Sequence, residues 1–289
     1  MTMKYIFFCI VFCYTFSSCI KNNPAPSWLE VSEWTLNENA NAQFPTGELT
    51  HSFTEAWVFV NGEQIGVFEV PFKIPLLVSG SANVKIYPAI KNNGISATKK
   101  IYPFMEVFEK DIVLVENETV KLNLVTEYYA STNFWIEDFE DVNLKIESDP
   151  NSEAELLRED DPSILKYGLN YGHIAFVNTD QKWGAVTNGN LVLPKGGKEV
   201  YIEIDYHNTN SFTVGVASYS SSATKNNPYI QLNAQQEASV KWKKAYIDIK
   251  EIVSSSTDAD VFEITFEAIK NTLLTSSDIY IDNIKVVYI

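Results

Sequence analysis

The sequence predicts an all-β protein made of two consecutive β-sandwiches, and three features predict it. The structured segments are short and alternate between apolar and polar residues, which is the pattern of strands rather than helices. Turn residues separate these segments at regular spacing. With 45% hydrophobic and 13% aromatic residues, the chain has enough apolar side chains to form folded cores.

Residues 1–18 have the layout of a cleaved export signal. Lys4 provides a positive flank, and Tyr5–Phe16 form a largely apolar run of twelve residues, which is too short to span a bilayer as a helix. Two serines then precede Cys19, which we predict to be the lipid-carrying first residue of the mature chain. The alternatives are an ordinary signal peptide cut nearby and an uncleaved anchor.

The cysteines and the residues after the signal support this interpretation. All three cysteines lie within the first nineteen residues, so the mature chain would keep only Cys19 and have no disulfide framework. Fatty acyl chains such as palmitate on Cys19 would hold the protein at a membrane. Residues 19–27 are polar and carry two prolines, which predicts a flexible tether.

The signal also predicts where the protein acts. It resembles the signals of lipoproteins from the phylum Bacteroidota, and the tether lacks the acidic cluster that often marks their export to the cell surface. We therefore predict a lipid-anchored outer-membrane protein and leave open whether it faces the periplasm or the exterior. A net charge of −15 excludes nucleic acid and an anionic lipid surface as favourable partners.

Residues 28–130 are predicted to form the first sandwich, of immunoglobulin or transthyretin type. Ala56–Val60 and Gln64–Phe68 flank Asn61-Gly62, a pair that suits a two-residue type I′ turn, so a tight hairpin is predicted there. About seven strands in about a hundred residues fit this fold.

Two further segments of this half carry predictions. Asp111–Val115 and Thr119–Val125, on either side of Glu116-Asn117-Glu118, predict a second hairpin. Val70–Pro75 carries two prolines, which cannot donate to a sheet ladder, so it is predicted to be an edge or crossing segment.

Residues 131–289 predict the second sandwich, a two-sheet jelly roll. Alternation is strict over Glu199–Tyr206, and about nine strand-like segments separated by turns fit this fold. The acidic tract Glu147–Asp161 is interpreted as a solvated excursion in which Glu153–Leu157 can form one or two helical turns. The alternative is a docking surface for a basic partner.

Both halves resemble known proteins. The second half resembles jelly-roll modules of carbohydrate-binding and concanavalin-like type in Bacteroidota secreted proteins, on three segments: Phe139-Glu140-Asp141, Trp242–Ile249 and Ile279–Val287. The first half is similar to the first domain of uncharacterised lipoproteins of the same phylum, again on three segments: Ala56–Gly62, Asn92–Ile95 and Tyr102–Phe104. These motifs imply the fold and do not name a ligand.

Acidic residues near both ends of the second half form a candidate calcium site. Asp138 and Glu140 lie near its first strand and Asp282 lies in its last, and these strands commonly lie side by side in jelly rolls. Their carboxylates would converge on a hard cation, which takes about six to eight oxygen ligands. By the resemblance, Glu140 and Asp282 match positions at which such modules hold a structural ion. The alternative is that these are turn acids at strand ends.

Aromatic residues of the second half form a candidate sugar-binding surface, because exposed rings stack on sugar faces. Trp183 is the best exposed candidate, since Lys182 and Gly184 flank it in a loop-like setting. Tyr171 and Tyr229 are the companions we expect in ligand binding. The alternative is that these rings belong to the core.

The chain carries no recognisable catalytic motif. The three histidines, His51, His173 and His207, have no metal-ligand spacing and lie beside no nucleophile motif. Paired carboxylates for glycoside hydrolysis require a separation that the sequence does not give. We therefore predict a protein that is not an enzyme.

Two functions fit these observations. The first is a non-catalytic scaffold or accessory subunit of an outer-membrane complex for transport, protein export or outer-membrane assembly. The alternative is a glycan-binding surface lipoprotein of a polysaccharide uptake system. The exposure of Trp183 separates them: a solvent-exposed ring near a second ring favours sugar binding, and a packed ring favours the scaffold.

Overall fold

The computed structural model describes residues 25–177, 179–274 and 277–289. The predicted signal peptide, Cys19 and most of the predicted tether lie outside these residues. Strands dominate the described residues, so the all-β prediction is confirmed. No helix among them is long and apolar enough to cross a membrane.

The first half of the chain forms two sheets around one core. Its strands are β1 (Ser27–Asn37), β2 (Glu55–Val60), β3 (Glu63–Glu69), β4 (Phe72–Leu76), β5 (Gly80–Lys91), β6 (Lys99–Ile101), β7 (Phe108–Leu114) and β8 (Thr119–Glu127). One sheet has the order β4-β1-β8, and the other has the order β3-β2-β5-β6 with β7 also paired to β5. The immunoglobulin or transthyretin type and the boundaries of both sandwiches stay predictions.

The first predicted hairpin is confirmed and the second is wrong. β2 and β3 pair antiparallel around Asn61 and Gly62, which both have the positive φ that this turn requires. β7 pairs with β5, whereas β8 pairs in parallel with β1 on the other sheet. Ile112 of β7 and Leu122 of β8 enter the same core from different sheets, so the turn at Asn117 crosses the sandwich. β4 lies at a sheet edge, as its prolines predicted.

The second half is a larger β-sandwich. Its strands are β9 (Asn133–Glu137), β10 (Ile146–Ser148), β11 (Leu156–Glu159), β12 (Tyr171–Ala175), β13 (Lys182–Thr187), β14 (Val200–Asn208), β15 (Phe212–Tyr219), β16 (Thr224–Leu232), β17 (Lys243–Asp248), β18 (Val261–Ile269) and β19 (Asp278–Tyr288), with one short helix α1 (Lys250–Ser255). A five-stranded sheet has the order β10-β13-β18-β15-β16. A six-stranded sheet has the order β11-β12-β19-β14-β17, with β9 paired to β19.

Two sequence predictions for this half have clear outcomes. The first and last strands, β9 and β19, lie side by side as expected. The helical turns expected over Glu153–Leu157 are absent, because Leu156–Glu159 forms β11 and pairs with β12. Backbone pairing with an existing sheet edge thus replaces a short helix that its own residues would stabilise only weakly.

The two halves share an apolar boundary. In β14, Val200, Ile202 and Ile204 face the core of the second sandwich, as the alternation predicted. The opposite face carries Tyr201, which packs with Tyr246 and Val287 into the core cluster of the first half. The outer face of the six-stranded sheet is therefore partly covered by the first sandwich.

Charged groups are buried at this boundary. The Lys244 Nζ atom lies 3.0 Å from Glu203 Oε2 and 3.5 Å from Asp205 Oδ2. All three side chains are at most 2% exposed. The Tyr102 and Tyr128 hydroxyls of the first half donate hydrogen bonds to Glu203 Oε1, at 2.6 and 2.8 Å. Each buried charge thus has partners on both sides of the boundary, which offsets the cost of removing it from water.

These partners keep Glu203 and Lys244 ionised. Burial opposes the charge of Glu203, but Lys244, Lys285 and the two tyrosine hydroxyls outweigh it and lower the pKa of Glu203. Burial likewise opposes the charge of Lys244, but Asp205 and Glu203 outweigh it and raise the pKa of Lys244. Burial lowers the pKa of Lys285 to about 8. Its Nζ atom donates a 2.6 Å hydrogen bond to the carbonyl oxygen of Glu48, across the boundary.

Removing Lys244 should destabilise the whole chain. We expect Lys244→Ala to lower the free energy of unfolding by about 3–5 kcal/mol, because it leaves Glu203 and Asp205 buried without their cation. Urea unfolding followed by tryptophan fluorescence measures the change. The matched control is Lys243→Ala, at an exposed neighbouring position, with an expected change within about 0.5 kcal/mol. Equal effects of the two variants would show that the buried ion pair does not hold the boundary together.

Candidate functional site

An open groove of about 510 Å³ lies across strand ends of the five-stranded sheet. We refer to it as the sheet groove. It is lined by residues of β13, β15, β16 and β18 and of the segment that follows β10: Asp149, Asn151, Ser152, Lys182, Trp183, Gly184, Ser211, Phe212, Thr213, Gln231, Glu267, Ala268 and Ile269. Its volume is in the range of small-molecule and oligosaccharide-sized sites.

One wall of the sheet groove is a turn fastened to β13. The backbone N–H of Asp149 donates to the carbonyl oxygen of Gly184 at 2.9 Å, and the N–H of Gly184 donates to Ser152 Oγ at 3.1 Å. Asp149 Oδ1 accepts from the backbone N–H of Asn151 at 2.7 Å, which fixes the turn. A Cβ atom on Gly184 would lie 3.2 Å from Asp149 Cβ, so the absence of a side chain lets the turn lie close over the strand.

The floor carries a row of polar side chains in register across four strands. Gly184 of β13 is paired with Glu267 of β18, Glu267 with Thr213 of β15, and Thr213 with Gln231 of β16. With Asp149 above Gly184, these residues form what we refer to as the polar row. Adjacent strands are about 4.8 Å apart, so the row runs perpendicular to the strands with side chains at that spacing.

Much of the hydrogen-bonding capacity of the sheet groove is unused by the protein. Glu267 Oε1 accepts a 3.0 Å hydrogen bond from Asn226 Nδ2. In the described part of the chain, the side chains of Lys182, Thr213 and Gln231 make no hydrogen bond or ion pair. A donor, a hydroxyl and an amide are therefore available to a ligand beside a carboxylate.

Trp183 lies beneath the sheet groove instead of projecting from it. It is 2% exposed and packs near Phe266, at 6.1 Å between ring centroids. Its expected exposure is wrong, because residues 182–187 form a strand and alternation turns Trp183 to the core between outward-facing Lys182 and Gly184. Its Nε1 atom is buried without a hydrogen-bond partner among the described residues.

The other two aromatic candidates lie elsewhere. Tyr171 is fully buried on the six-stranded sheet, with its hydroxyl 3.5 Å from Glu159 Oε2. Tyr229 is 40% exposed, but its hydroxyl accepts a 3.4 Å hydrogen bond from Asn93 of the first half. The three rings therefore do not form the single exposed surface that the sequence suggested, and a ligand contact at any one of them stays a prediction.

The acidic residues chosen for calcium do not form a metal-binding group within the described residues. Glu140 Oε1 accepts hydrogen bonds from the backbone N–H groups of Leu169 and Asn170, at 2.6 and 3.1 Å. The Arg158 guanidinium donates to the carbonyl oxygens of Phe139 and Glu140, at 2.5 and 3.0 Å. Backbone amides and an arginine thus take up the acceptor atoms at this end of the sandwich.

Asp282 belongs to the same candidate calcium set, with Asp138 and Glu140, and it is only 2% exposed. Burial raises the pKa of Asp282 to about 8, and the nearby charges of Asp205, Glu140 and Asp138 add to this rise. The hydrogen bond from the Asn283 N–H acts in the opposite direction and lowers the pKa. Within the described residues, no group of three or more His, Cys, Asp or Glu side chains is placed to hold a metal ion. These three carboxylates thus do not form the calcium-binding group that we expected, and binding of calcium by any one of them stays a prediction.

A histidine held between two carboxylates was not foreseen. His173 Nδ1 lies 3.0 Å from Glu159 Oε2, an ion-pair contact without the alignment of a hydrogen bond. On the other side, Nε2 lies 3.1 Å from Asp278 Oδ1. The ring stacks on Tyr280, with 4.3 Å between centroids. The three partners come from β11 and β19, so no spacing in the sequence indicated this cluster.

This cluster fastens strands together and offers no assembled nucleophile. Both ring nitrogens of His173 face carboxylates, whereas a general base needs one nitrogen facing a hydroxyl, thiol or water that it can activate. Glu159 and Asp278 bring β11 and β19 against β12 through this one ring. The prediction that the chain is not an enzyme stays a prediction.

Comparisons with known proteins give likenesses of fold. No family model and no curated protein matches the chain. A family 11 carbohydrate-binding module from Clostridium thermocellum, in complex with a β-1,3-1,4-mixed-linked tetrasaccharide, is 19% identical, with 54% of this chain and 94% of that chain covered and a TM-score of 0.36. The K3 cleaved adhesin domain of Lys-gingipain from Porphyromonas gingivalis is 14% identical, with 54% and 99% covered and a TM-score of 0.37.

A third structure, a carbohydrate-binding module of the β-sandwich superfamily, is 12% identical, with 80% of this chain and 84% of that chain covered and a TM-score of 0.37. The solved structures similar to this chain thus include β-sandwich carbohydrate-binding modules, the kind of module named by the sequence resemblance. At these TM-scores the likeness carries no argument about a ligand. The Bacteroidota and lipoprotein parts of the resemblance stay predictions.

The contributions of His173 and His207, both in the six-stranded sheet, to stability should depend on pH in opposite directions. Burial opposes protonation of His173, but Asp278 and Glu159 outweigh burial and raise the pKa of His173 above its ordinary value of about 6.5. The protonated ring therefore stabilises the fold fully below about pH 6.5, and this stabilisation is lost as the pH rises through the pKa of the folded state. Burial lowers the pKa of His207, so folding favours its neutral form and its contribution is lost as pH falls.

We therefore expect His173→Gln to destabilise the protein more at pH 6 than at pH 9, and the matched variant His207→Gln to show no such excess at pH 6. Urea unfolding of the wild type and both variants at the two pH values gives the comparison. A loss for His173→Gln that does not change with pH would mean that the ring contributes by packing on Tyr280 alone.

Proposed function

We propose that this protein binds a glycan without transforming it, and that the sugar chain lies in the sheet groove. The observation that carries the proposal is the polar row, which spans four strands and is open to solvent along a groove of about 510 Å³. Sugars present many hydroxyl groups, each of which donates and accepts hydrogen bonds. The side chains of the row and of Lys182 provide both kinds of partner.

The groove would bind a sugar through hydrogen bonds to its hydroxyl groups more than through stacking on its ring faces. Along its lining, Trp183 and Phe212 are at most 2% exposed, so neither presents a ring face for stacking. The exposed apolar side chain there is Ile269, which is 77% exposed. Each neutral hydrogen bond contributes about 1 kcal/mol and each bond to a charged group about 1.5–3 kcal/mol, so several together support specific but modest affinity.

The scaffold hypothesis stays a prediction. Trp183 is packed, which by the criterion set above favours the scaffold over sugar stacking at that ring, but no observation in the described part of the chain identifies a protein partner. The sheet groove is a different kind of sugar site from the one that criterion addressed, since it depends on hydrogen bonds.

Affinity electrophoresis and calorimetry with a panel of polysaccharides test the proposal. We expect Gln231→Ala to weaken binding of the retained polysaccharide about fivefold, because one or two hydrogen bonds to sugar hydroxyls are lost. The matched control is Gln64→Ala, an exposed glutamine of the first half, with no expected change. An unchanged affinity in Gln231→Ala would place the sugar outside the groove. Failure of the wild type to retain any polysaccharide would end the proposal.

We also propose, from the sequence, that the protein is anchored to the outer membrane through lipid on Cys19. We expect Cys19→Ser to move the protein from the membrane fraction to the soluble fraction, because the acyl chains are lost. Mass spectrometry of the wild-type protein should show an acylated N-terminal cysteine. An unmodified N-terminus, or a wild-type protein that is already soluble, would contradict the anchor while leaving the glycan proposal standing.

A further inference from the structure

The polar row is not uniform in charge. Its first two members, Asp149 and Glu267, are carboxylates, and they lie over and beside Gly184 at one end of the row. Its last two members, Thr213 and Gln231, are uncharged. The groove lining therefore has an acidic end on β13 and β18 and a neutral end on β15 and β16.

One cation faces this acidic end. Lys182 is paired with Ile269, two residues along β13 and β18 from the pair of Gly184 and Glu267. The ionisable side chains of the lining are thus Asp149, Glu267 and Lys182, with a sum of −1. The whole chain carries −15, so its net charge does not attract an anionic ligand.

The carboxylates are already partly engaged as acceptors. Asp149 Oδ1 accepts from Asn151, and Glu267 Oε1 accepts from Asn226. Their remaining lone pairs are suited to the O–H groups of a ligand, which donate, and unsuited to a second carboxylate, which only accepts. An anionic sugar would meet two like charges and one cation. The Asp149 carboxylate is held in place, because its turn is hydrogen-bonded to β13.

From this placement, and resting on the proposed function, we infer that the sheet groove selects uncharged glycans and rejects those built from uronic acids. The sugar chain lies across the strands, along the polar row, with its hydroxyl groups donating to Asp149 and Glu267 at one end. At the other end the hydroxyl groups exchange hydrogen bonds with Thr213 and Gln231.

Calorimetry with hexasaccharides tests the selectivity. The neutral probes are gluco-, manno- and galacto-hexasaccharides, and the anionic probes are hexamers of glucuronic, mannuronic and galacturonic acid. For the neutral hexasaccharide that binds, we expect an affinity at least about tenfold above that for the corresponding uronate at low salt. We expect this gap to narrow at 0.5 M salt, because the repulsion is screened.

A double variant, Asp149→Asn with Glu267→Gln, separates local charge from the charge of the whole protein. These substitutions retain the shape of both side chains, and we expect them to bring uronate affinity to within about threefold of neutral affinity. The matched control, Glu109→Gln with Asp111→Asn on β7, removes the same charge from an exposed surface of the first half, and the selectivity should persist. Circular dichroism spectra that match the wild type confirm that both variants are folded.

The outcomes are distinguishable. Equal binding of neutral and uronate hexamers by the wild type, or loss of selectivity in the control variant, overturns the inferred selection and leaves glycan binding intact. Failure of the wild type to bind any hexamer overturns both the selection and the proposed function.

Discussion

The fold depends on a buried cluster of charges where the two sandwiches meet. Lys244, Glu203 and Asp205 come from the second half, and the Tyr102 and Tyr128 hydroxyls of the first half donate hydrogen bonds to Glu203. A buried pair of this kind is not in itself a strong source of stability, since an apolar replacement of the same shape often does as well. Its effect is on specificity. The arrangement seen here gives these charges their partners, so we expect the cluster to favour this geometry of the boundary over others.

That geometry decides which surface is free to bind a ligand. The first half covers part of the outer face of the six-stranded sheet, where Tyr201 and Tyr246 join its core. The five-stranded sheet remains open, and the sheet groove lies there. Because the first half packs on the six-stranded sheet, the groove on the five-stranded sheet stays open to solvent. Tyr229, on the edge strand of the open sheet, touches Asn93 of the first half and marks where the covered region ends.

The sequence predicted what local patterns determine. Alternation gave the all-β class and the two faces of β14, and Asn61-Gly62 gave the first hairpin. It misjudged features that depend on pairing between distant strands. The turn at Asn117 has hairpin chemistry, but its strands find partners in different sheets. Trp183 looked exposed because it stands between a lysine and a glycine, yet that spacing is also the alternation of a half-buried strand. The polar row has no sequence signature, because register alone places Glu267, Thr213 and Gln231 together.

The hydrogen bond from Lys285 to the carbonyl oxygen of Glu48 joins residues 237 positions apart. At ribosomal rates of about 5–20 residues per second, these two residues are made on the order of ten to fifty seconds apart. The hydroxyls of Tyr102 and Tyr128 have no carboxylate to bond until Glu203 is made, 75 positions after Tyr128, and the apolar surface that packs on the second half is uncovered until that half is present. The boundary between the halves therefore cannot close before the last strand is present, and a chain that lacks this strand exposes the surface that a holding chaperone would bind.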